Sequence, residues 1–569
     1  MFGKSAPLAL CLFASSFIFA QSHTAPVDAL GHQWWQHAVF YEVYPRSYMD
    51  SNGDGYGDLN GIASKMDYLN WLGVDAIWIA PCFPSPQVDF GYDVSNYVDI
   101  DPVYGTLKDF DRMEATGKKQ NVGIVLDLVV NHTSDKHKWF VESESSKTNP
   151  YRDWYIWRDG RAPNQPPNNW TSNFGGSAWQ WSDKTNQYYY HYFYPQQPDL
   201  NWRNPKVKGA IFDVTRFWYK RGVVGFRLDA VDTLFEDPNL TDNPTMKERN
   251  AYGDQEQEEK YNKKLPEVQQ ALAGLRKVAD EYNAVLIGET WTDDIAELKS
   301  YYGEHHEGIQ MPMDLMFTNL KPLSADVFRK HIAGVIASGE WPVWVMSNHD
   351  KVRAYTRFAD GKHDDQIAKL LAGMYLTLPG TAIMYYGEEI GMKNNDPTRK
   401  EDVKDPIGRL GWPDEKGRDG ERTPMQWDNT PNAGFTKGIP WLPVPTTYET
   451  HNVAKEQKEP NSILNFYQNL LALRHTNRAL LDGNWISLND NDKNVLAYLR
   501  TYQDQGIIVV LNMSPGPQNP SFDLSQQGFA AIEAKTLLST TKSGATQKLS
   551  ELALQPYDVY IGQVRKRGK

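Results

Sequence analysis

Two carboxylates in this chain each close a short apolar run. Asp229 ends the apolar part of GFRLDAV (225–231), and Glu289 does so in VLIGET (285–290). A third run, VWVMSNHD (343–350), finishes on Asp350, and a fourth, VGIVLDLVVNH (122–132), finishes on His132. Apolar runs bounded by turn residues predict fully buried strands. Any one acid at such a strand end reads as a buried ion pair. Several acids and an imidazole delivered the same way point to one active site at the carboxyl ends of a parallel barrel. A pair of carboxylates there suits cleavage of a glycosidic bond, in which one group stays ionised while the other carries a proton.

The elements that must hold these groups can be read in order. Strands are predicted within 39–48, 75–81, 122–130, 225–231, 285–289, 311–316, 343–350 and 381–389. Intervening stretches such as LPEVQQALAGLRKVADEY (265–282) have helical apolar spacing. The alternation predicts an α/β fold, a (β/α)8 TIM barrel over 32–131 and 205–484. The stretch 132–204, rich in Trp, Tyr, Asn and Pro, reads as a subdomain inserted after the third strand. A second excursion covers 388–460, and ILNFYQNLLALRHTNRALL (463–481) closes the barrel as a helix. Residues 485–569 are expected to form a C-terminal antiparallel β-sandwich, from strands at 495–502, 506–514 and 556–562.

Residues 1–20 read as a signal peptide: Lys4, an apolar run over 8–20, and Ala20 before Gln21. A polar linker over 21–31 follows, and the expectation is export to the periplasm or the medium. That run is short for a membrane span, and no comparable run follows. Cys11 leaves with the signal, so Cys82 stands alone as a packed core thiol. The net charge of −12 excludes a phosphate-binding surplus, and with it a nucleic-acid partner. The 19 Trp, 31 Tyr and 22 Phe could stack on sugar rings, but composition alone favours a large aromatic core as the account of them.

Another motif lies in DSNGDGYGD (50–58). Asp50, Asn52, Asp54 and Asp58 offer oxygens at alternate positions, with the Tyr56 carbonyl between them. Such hard donors on a glycine-bearing loop suit one Ca2+, with Mg2+ as the alternative ion; the other reading is an acidic solvated turn. Gly61 stands where an EF-hand would need its twelfth-position glutamate. No organic cofactor is expected.

DLVVNH, GFRLDAV, GET and SNHD, in this order, resemble the α-amylase superfamily of retaining glycoside hydrolases. QPDLN (197–201), FGGSAW (174–179) and RTPMQW (422–427) narrow the resemblance to its oligo-1,6-glucosidase and α-glucosidase branch. The resemblance implies that Asp229 is the nucleophile, Glu289 the acid/base, and Asp350 the group that holds the ring hydroxyls. It implies that Arg227 aims Asp229, and that His132 and His349 donate to the first glucose. Asp89 and Tyr92 would grip the non-reducing end, Arg422 would pair with Asp89, and Phe193 would cap the pocket. Ala230, after the nucleophile, matches the position that sorts linkage, where alanine goes with α-1,4 bonds. The implied activity is an exo-acting α-glucosidase on maltose and short α-1,4-glucosides. The alternatives are a transglucosidase or a trehalose- or sucrose-acting relative, and, more remotely, a non-catalytic binding protein. Neither the oligomeric state nor the role of 232–264 follows from the residues.

Overall fold

A computed structural model describes residues 28, 30–529, 532–541 and 544–566. The signal segment and Cys11 lie outside them, as does most of the 21–31 linker.

Eight parallel strands form the barrel: Val39–Val43, Ala76–Ile79, Gly123–Val129, Gly225–Asp229, Val285–Gly288, Met311–Pro312, Val343–Val345 and Thr381–Tyr385. Their order around the sheet is 6-5-4-3-2-1-8-7, and a bridge between Asp314 and Trp344 joins the sixth to the seventh and closes the ring. Both faces are buried, which is why the runs are continuously apolar rather than alternating with polar residues. Phe40, Trp78, Val125, Val285, Ile287 and Ile383 fill the inside. Their neighbours Tyr41, Ile77, Ile79, Ile124 and Leu126 face the surrounding helices. Gly225 allows the fourth and fifth strands to approach, since a Cβ there would lie 2.5 Å from Val285 Cγ1.

The strands are shorter than the apolar runs that announce them. The seventh ends at Val345, so Asp350 stands in the loop beyond it. Side-chain caps define several outer helices: Asn204 opens Pro205–Tyr219, and Thr106 forms a capping box with Asp109 at the head of Leu107–Lys119. The closing helix is interrupted at Asn477, giving Ile463–Thr476 and then Arg478–Leu481.

The insertion after the third strand carries a small antiparallel sheet of Trp157–Arg158, Gln187–Tyr190 and Trp179–Ser182. Much of its aromatic wealth is its own core, where Trp170, Trp179, Tyr188, Tyr190 and Tyr192 pack together. A hairpin at Thr245–Arg249 and Gln255–Gln257 lies against this insertion, with Gln257 Nε2 donating to the Asn169 carbonyl at 2.6 Å; neither strand contains a buried residue, and neither has an apolar run to announce it.

The C-terminal module is a six-stranded antiparallel sheet containing Asn484–Ser487, Val495–Tyr502, Gln505–Asn512, Val559–Arg565, Glu533–Ser539 and Thr546–Lys548 in spatial order. One face, with Leu496, Tyr498, Val509 and Leu511, joins the barrel's core. The other, with Val495, Leu499, Ile508 and Val510, is covered by Leu524, Phe529, Leu549 and Leu554 from the connecting segments, which supply the second layer. Cys82 is buried and unpaired, and burial pushes its thiol far above the ordinary range, so it is inert. Among the described residues no helix is long and apolar enough to cross a membrane.

Candidate active site

A cavity of about 380 Å3 opens at the carboxyl ends of the strands. Asp229, Glu289 and Asp350 line it together with Asp89, Tyr92, His132, Phe193 and Ala230. Asp229 is the last residue of the fourth strand, and Ala230 then turns the chain with φ 46° and ψ 44°. That left-handed turn aims the Ala230 N–H at Glu289 Oε2, 2.9 Å away, and so ties the ends of the fourth and fifth strands together.

Arg227, two residues before Asp229, shares its side of the strand and lies fully buried beneath the cavity. Its Nη1 donates to Asp229 Oδ1 at 2.7 Å and to both oxygens of Asp127 at 3.1 Å. Its Nη2 stands 2.9 Å from Glu289 Oε1. One guanidinium therefore serves three buried carboxyls. Burial pushes the Asp229 carboxyl well above the ordinary range against the pull of Arg227, with Glu289 and Asp127 adding repulsion. Burial likewise raises Asp127, to about 6. With one cation among three acids, the cluster favours holding a proton, which is the condition for pairing an acid with a nucleophile.

Asp350 is set differently. Burial alone would raise its carboxyl, but His349, Arg418 and Arg422 outweigh it and hold the group well below the ordinary range. Arg422 Nη2 lies 2.6 Å from Asp350 Oδ1 and Arg418 Nη1 lies 3.2 Å from the same atom. A permanently ionised acid surrounded by cations accepts hydrogen bonds and does not transfer protons.

The partner of Asp89 is Arg418, not Arg422. Arg418 Nη2 reaches Asp89 Oδ1 at 2.8 Å, while its Nε bonds Asp405 Oδ2 at 2.7 Å. Arg422 lies fully buried behind the wall, occupied by Asp350 and by the His349 carbonyl, to which its Nε donates at 2.9 Å. His349 also stands behind the lining, and both of its ring nitrogens are engaged. Nδ1 shares a 2.5 Å hydrogen bond with Glu42, and Nε2 shares one of 2.5 Å with Tyr92 Oη. It therefore positions Tyr92, against which its ring stacks at 5.5 Å, rather than facing a ligand. Burial lowers the His132 imidazole to about 3, which keeps it neutral. Phe193 packs edge-on against His132 at 5.1 Å.

The structure adds residues with no motif of their own. Arg418 lies four before Arg422 in the second excursion, and its contact with Asp89 spans 329 positions. Trp291, Lys263, Asp232 and Thr233 line the cavity from segments that follow the fourth and fifth strands, and Lys351 from the loop after the seventh. Glu42 and Asp127 lie inside apolar strands, where their acids were the only sign.

The loop at 50–58 carries the donors expected to hold an ion. Its donors are oxygens, the type that calcium takes, but they do not form a ready cage. Asp50 accepts from the N–H groups of Asn52, Gly53 and Gly55 and from the Thr436 hydroxyl, over 2.5–2.9 Å. Asp58 caps the helix Leu59–Ala63 through the Gly61 N–H at 2.7 Å. The donor chemistry fits Ca2+, and the loop is already held by Asx turns of its own.

The chain matches the family description "Alpha amylase, catalytic domain" over residues 42–483, and "Maltogenic Amylase, C-terminal domain" over 487–561. It is 44% identical to a probable α-glucosidase of Rhizobium meliloti, over 84% of this chain and 89% of that one. It is 37% identical to an oligo-1,6-glucosidase of Parageobacillus thermoglucosidasius, over 94% and 99% respectively. Among solved structures it resembles an α-glucosyl transfer enzyme with a TM-score of 0.85 and 38% identity, covering 94% of this chain and 99% of the other.

Proposed function

The chain belongs to the α-amylase family of glycoside hydrolases, and from that premise we propose an exo-acting α-glucosidase that removes terminal glucose with retention of configuration. One observation carries the exo reading. Arg418 links Asp89 to Asp350 across one side of the cavity, with Asp405 behind it, so a glucan can present only an end there.

In this reading Asp229 attacks the anomeric carbon and forms a covalent glucosyl-enzyme. Arg227 keeps one oxygen of Asp229 bonded at 2.7 Å, leaving the other for the sugar. Glu289 is held by the Ala230 N–H and protonates the departing oxygen, then takes a proton from the incoming water. Asp350, ionised between two arginines, accepts from the ring hydroxyls. Asp89 and Tyr92 hold the terminal unit, and the neutral His132 lines the cavity beside them, its Nε2 donating to the Tyr92 carbonyl at 3.1 Å.

Transfer to a sugar acceptor is the second reading. It is favoured by Trp291 at the mouth, whose ring lies 4.4 Å from Lys351 Nζ and which could stack an acceptor where water would otherwise enter. The loop at 50–58 is assigned a structural calcium ion, with magnesium as the alternative, and the protein to the periplasm or the medium on the strength of its first twenty residues.

The proton NMR time course of maltose cleavage tests the mechanism. Glucose from the non-reducing end should appear first as the α-anomer, and early β-glucose from that end would exclude two displacements. Asp229→Asn and Glu289→Gln should each lose at least about a thousandfold in kcat/KM, a loss of about 4 kcal/mol of transition-state stabilisation, with unchanged folding.

A further inference from the structure

At the barrel's amino end, opposite the cavity, side chains from the two ends of the catalytic region converge. Asp28 and His32 precede the barrel, and His37 ends the short helix Trp34–His37 ahead of the first strand. Asp482 follows the helix Arg478–Leu481, just before the C-terminal module begins at Asn484. One nitrogen or oxygen from each of the four lies within 4.8 Å of the other three. His32 Nδ1 is 2.7 Å from Asp28 Oδ2 and 3.1 Å from Asp482 Oδ1. His37 Nε2 is 3.6 Å from Asp28 Oδ2 and 2.6 Å from Asp482 Oδ1. A tetrahedron of ligands about 2.0–2.1 Å from a central ion has edges of about 3.3 Å, and these four separations bracket it.

We infer that Asp28, His32, His37 and Asp482 form a closed site for one tetrahedral divalent transition-metal ion, zinc by its donor preference, which staples the segment before the barrel to the chain's exit from it. Two imidazoles and two carboxylates are nitrogen and oxygen donors that zinc accepts and calcium does not favour. The two carboxylates neutralise a divalent charge. Arg478 supports both of them from outside, with Nη2 3.0 Å from Asp28 Oδ2 and Nε 2.7 Å from Asp482 Oδ2. The second oxygen of Asp28 accepts from the Leu30 and His32 N–H groups at 2.9 and 3.1 Å, which fixes the carboxylate's direction. Ligating acids held by such outer partners are a recurrent feature of metal sites.

The four side chains are at most 18% exposed, and four protein ligands leave no open position. The site is therefore structural and takes no part in the cavity's chemistry.

The full chain, stripped with a chelator and dialysed, should be titrated with Co2+ and followed by visible absorption. One equivalent should give the intense bands of tetrahedral cobalt, and Zn2+ should displace it. The double variant His32→Ala/His37→Ala should lose these bands. Asp482→Asn should weaken binding by more than the roughly 10–100-fold that loss of an outer partner causes. Zinc should raise the melting temperature of the wild type and leave that of the double variant unchanged, a comparison that holds even where the substitutions lower stability. Only weak octahedral bands, or equal stoichiometry in wild type and double variant, would overturn the site.

Discussion

Arg227 bonds Asp229 at 2.7 Å through Nη1, and through the same nitrogen bonds Asp127 at 3.1 Å, so the buried Asp127 competes for one cation with the residue proposed as the nucleophile. Asp229 must be ionised to attack, and its pKa is raised by burial, with Asp127 adding to the rise. Activity is therefore lost as pH falls through that raised value. The acid limb of kcat/KM, which reports the free enzyme, should lie above the ordinary aspartate value of about 3.9. Asp127→Asn removes a negative neighbour and should move the limb downward, by on the order of one pH unit. A limb at or below the ordinary value in the wild type, or an upward move in the variant, would contradict this arrangement.

Arg418 is the bridge among Asp89, Asp350 and Asp405. Arg418→Gln strands buried carboxylates and should destabilise the fold by about 3–5 kcal/mol, measured by urea unfolding. Arg418→Lys keeps the charge but cannot span three acids at once. It should fold and raise KM for maltose at least about tenfold, a loss of about 1.4 kcal/mol of binding. An unchanged KM would remove Arg418 from the wall of the glucose site.

Ala230 borders the cavity with a small side chain, which leaves room for an aglycone attached through a ring hydroxyl. Maltose should be preferred over isomaltose by roughly tenfold to a hundredfold in kcat/KM. Ala230→Val should move the ratio toward isomaltose. It should also lower the melting temperature, because a β-branched residue at φ 46° adds strain of about 1–3 kcal/mol. A wild-type preference for isomaltose, or no movement of the ratio, would sink the linkage assignment.

The loop at 50–58 lies against the second excursion, with the Asp50 N–H donating to the Phe435 carbonyl at 3.1 Å. Chelation of a calcium ion there should lower the melting temperature more than the initial rate, since the ion would bind only the folded loop. Equal melting with and without chelator, in protein shown to contain calcium beforehand, would refute a structural role.

The eight barrel strands could be read because each is apolar on both faces and bounded by turns. Asp229 and Glu289 were legible because they end such runs. Arg418 was not, because its meaning lies in a contact with Asp89 that no local pattern encodes. His349 and Arg422 were placed in the site by motif, yet they act through Tyr92 and Asp350, and only packing shows which of two neighbours faces the cavity. The strands at 484–487, 533–539 and 546–548 lacked a signal because they are short or partly exposed, without the apolar runs of the central pair.

Asp229 closes a barrel strand and Glu289 follows directly on one, whereas Arg418, Phe193, Trp291 and Lys263 all come from segments between elements or from the insertion. The pair proposed to break the bond is thus anchored at the ends of barrel strands, and the other groups lining the cavity hang from segments that can lengthen or drift one at a time. Such a chain can be re-dressed for a new sugar without relearning how to cut.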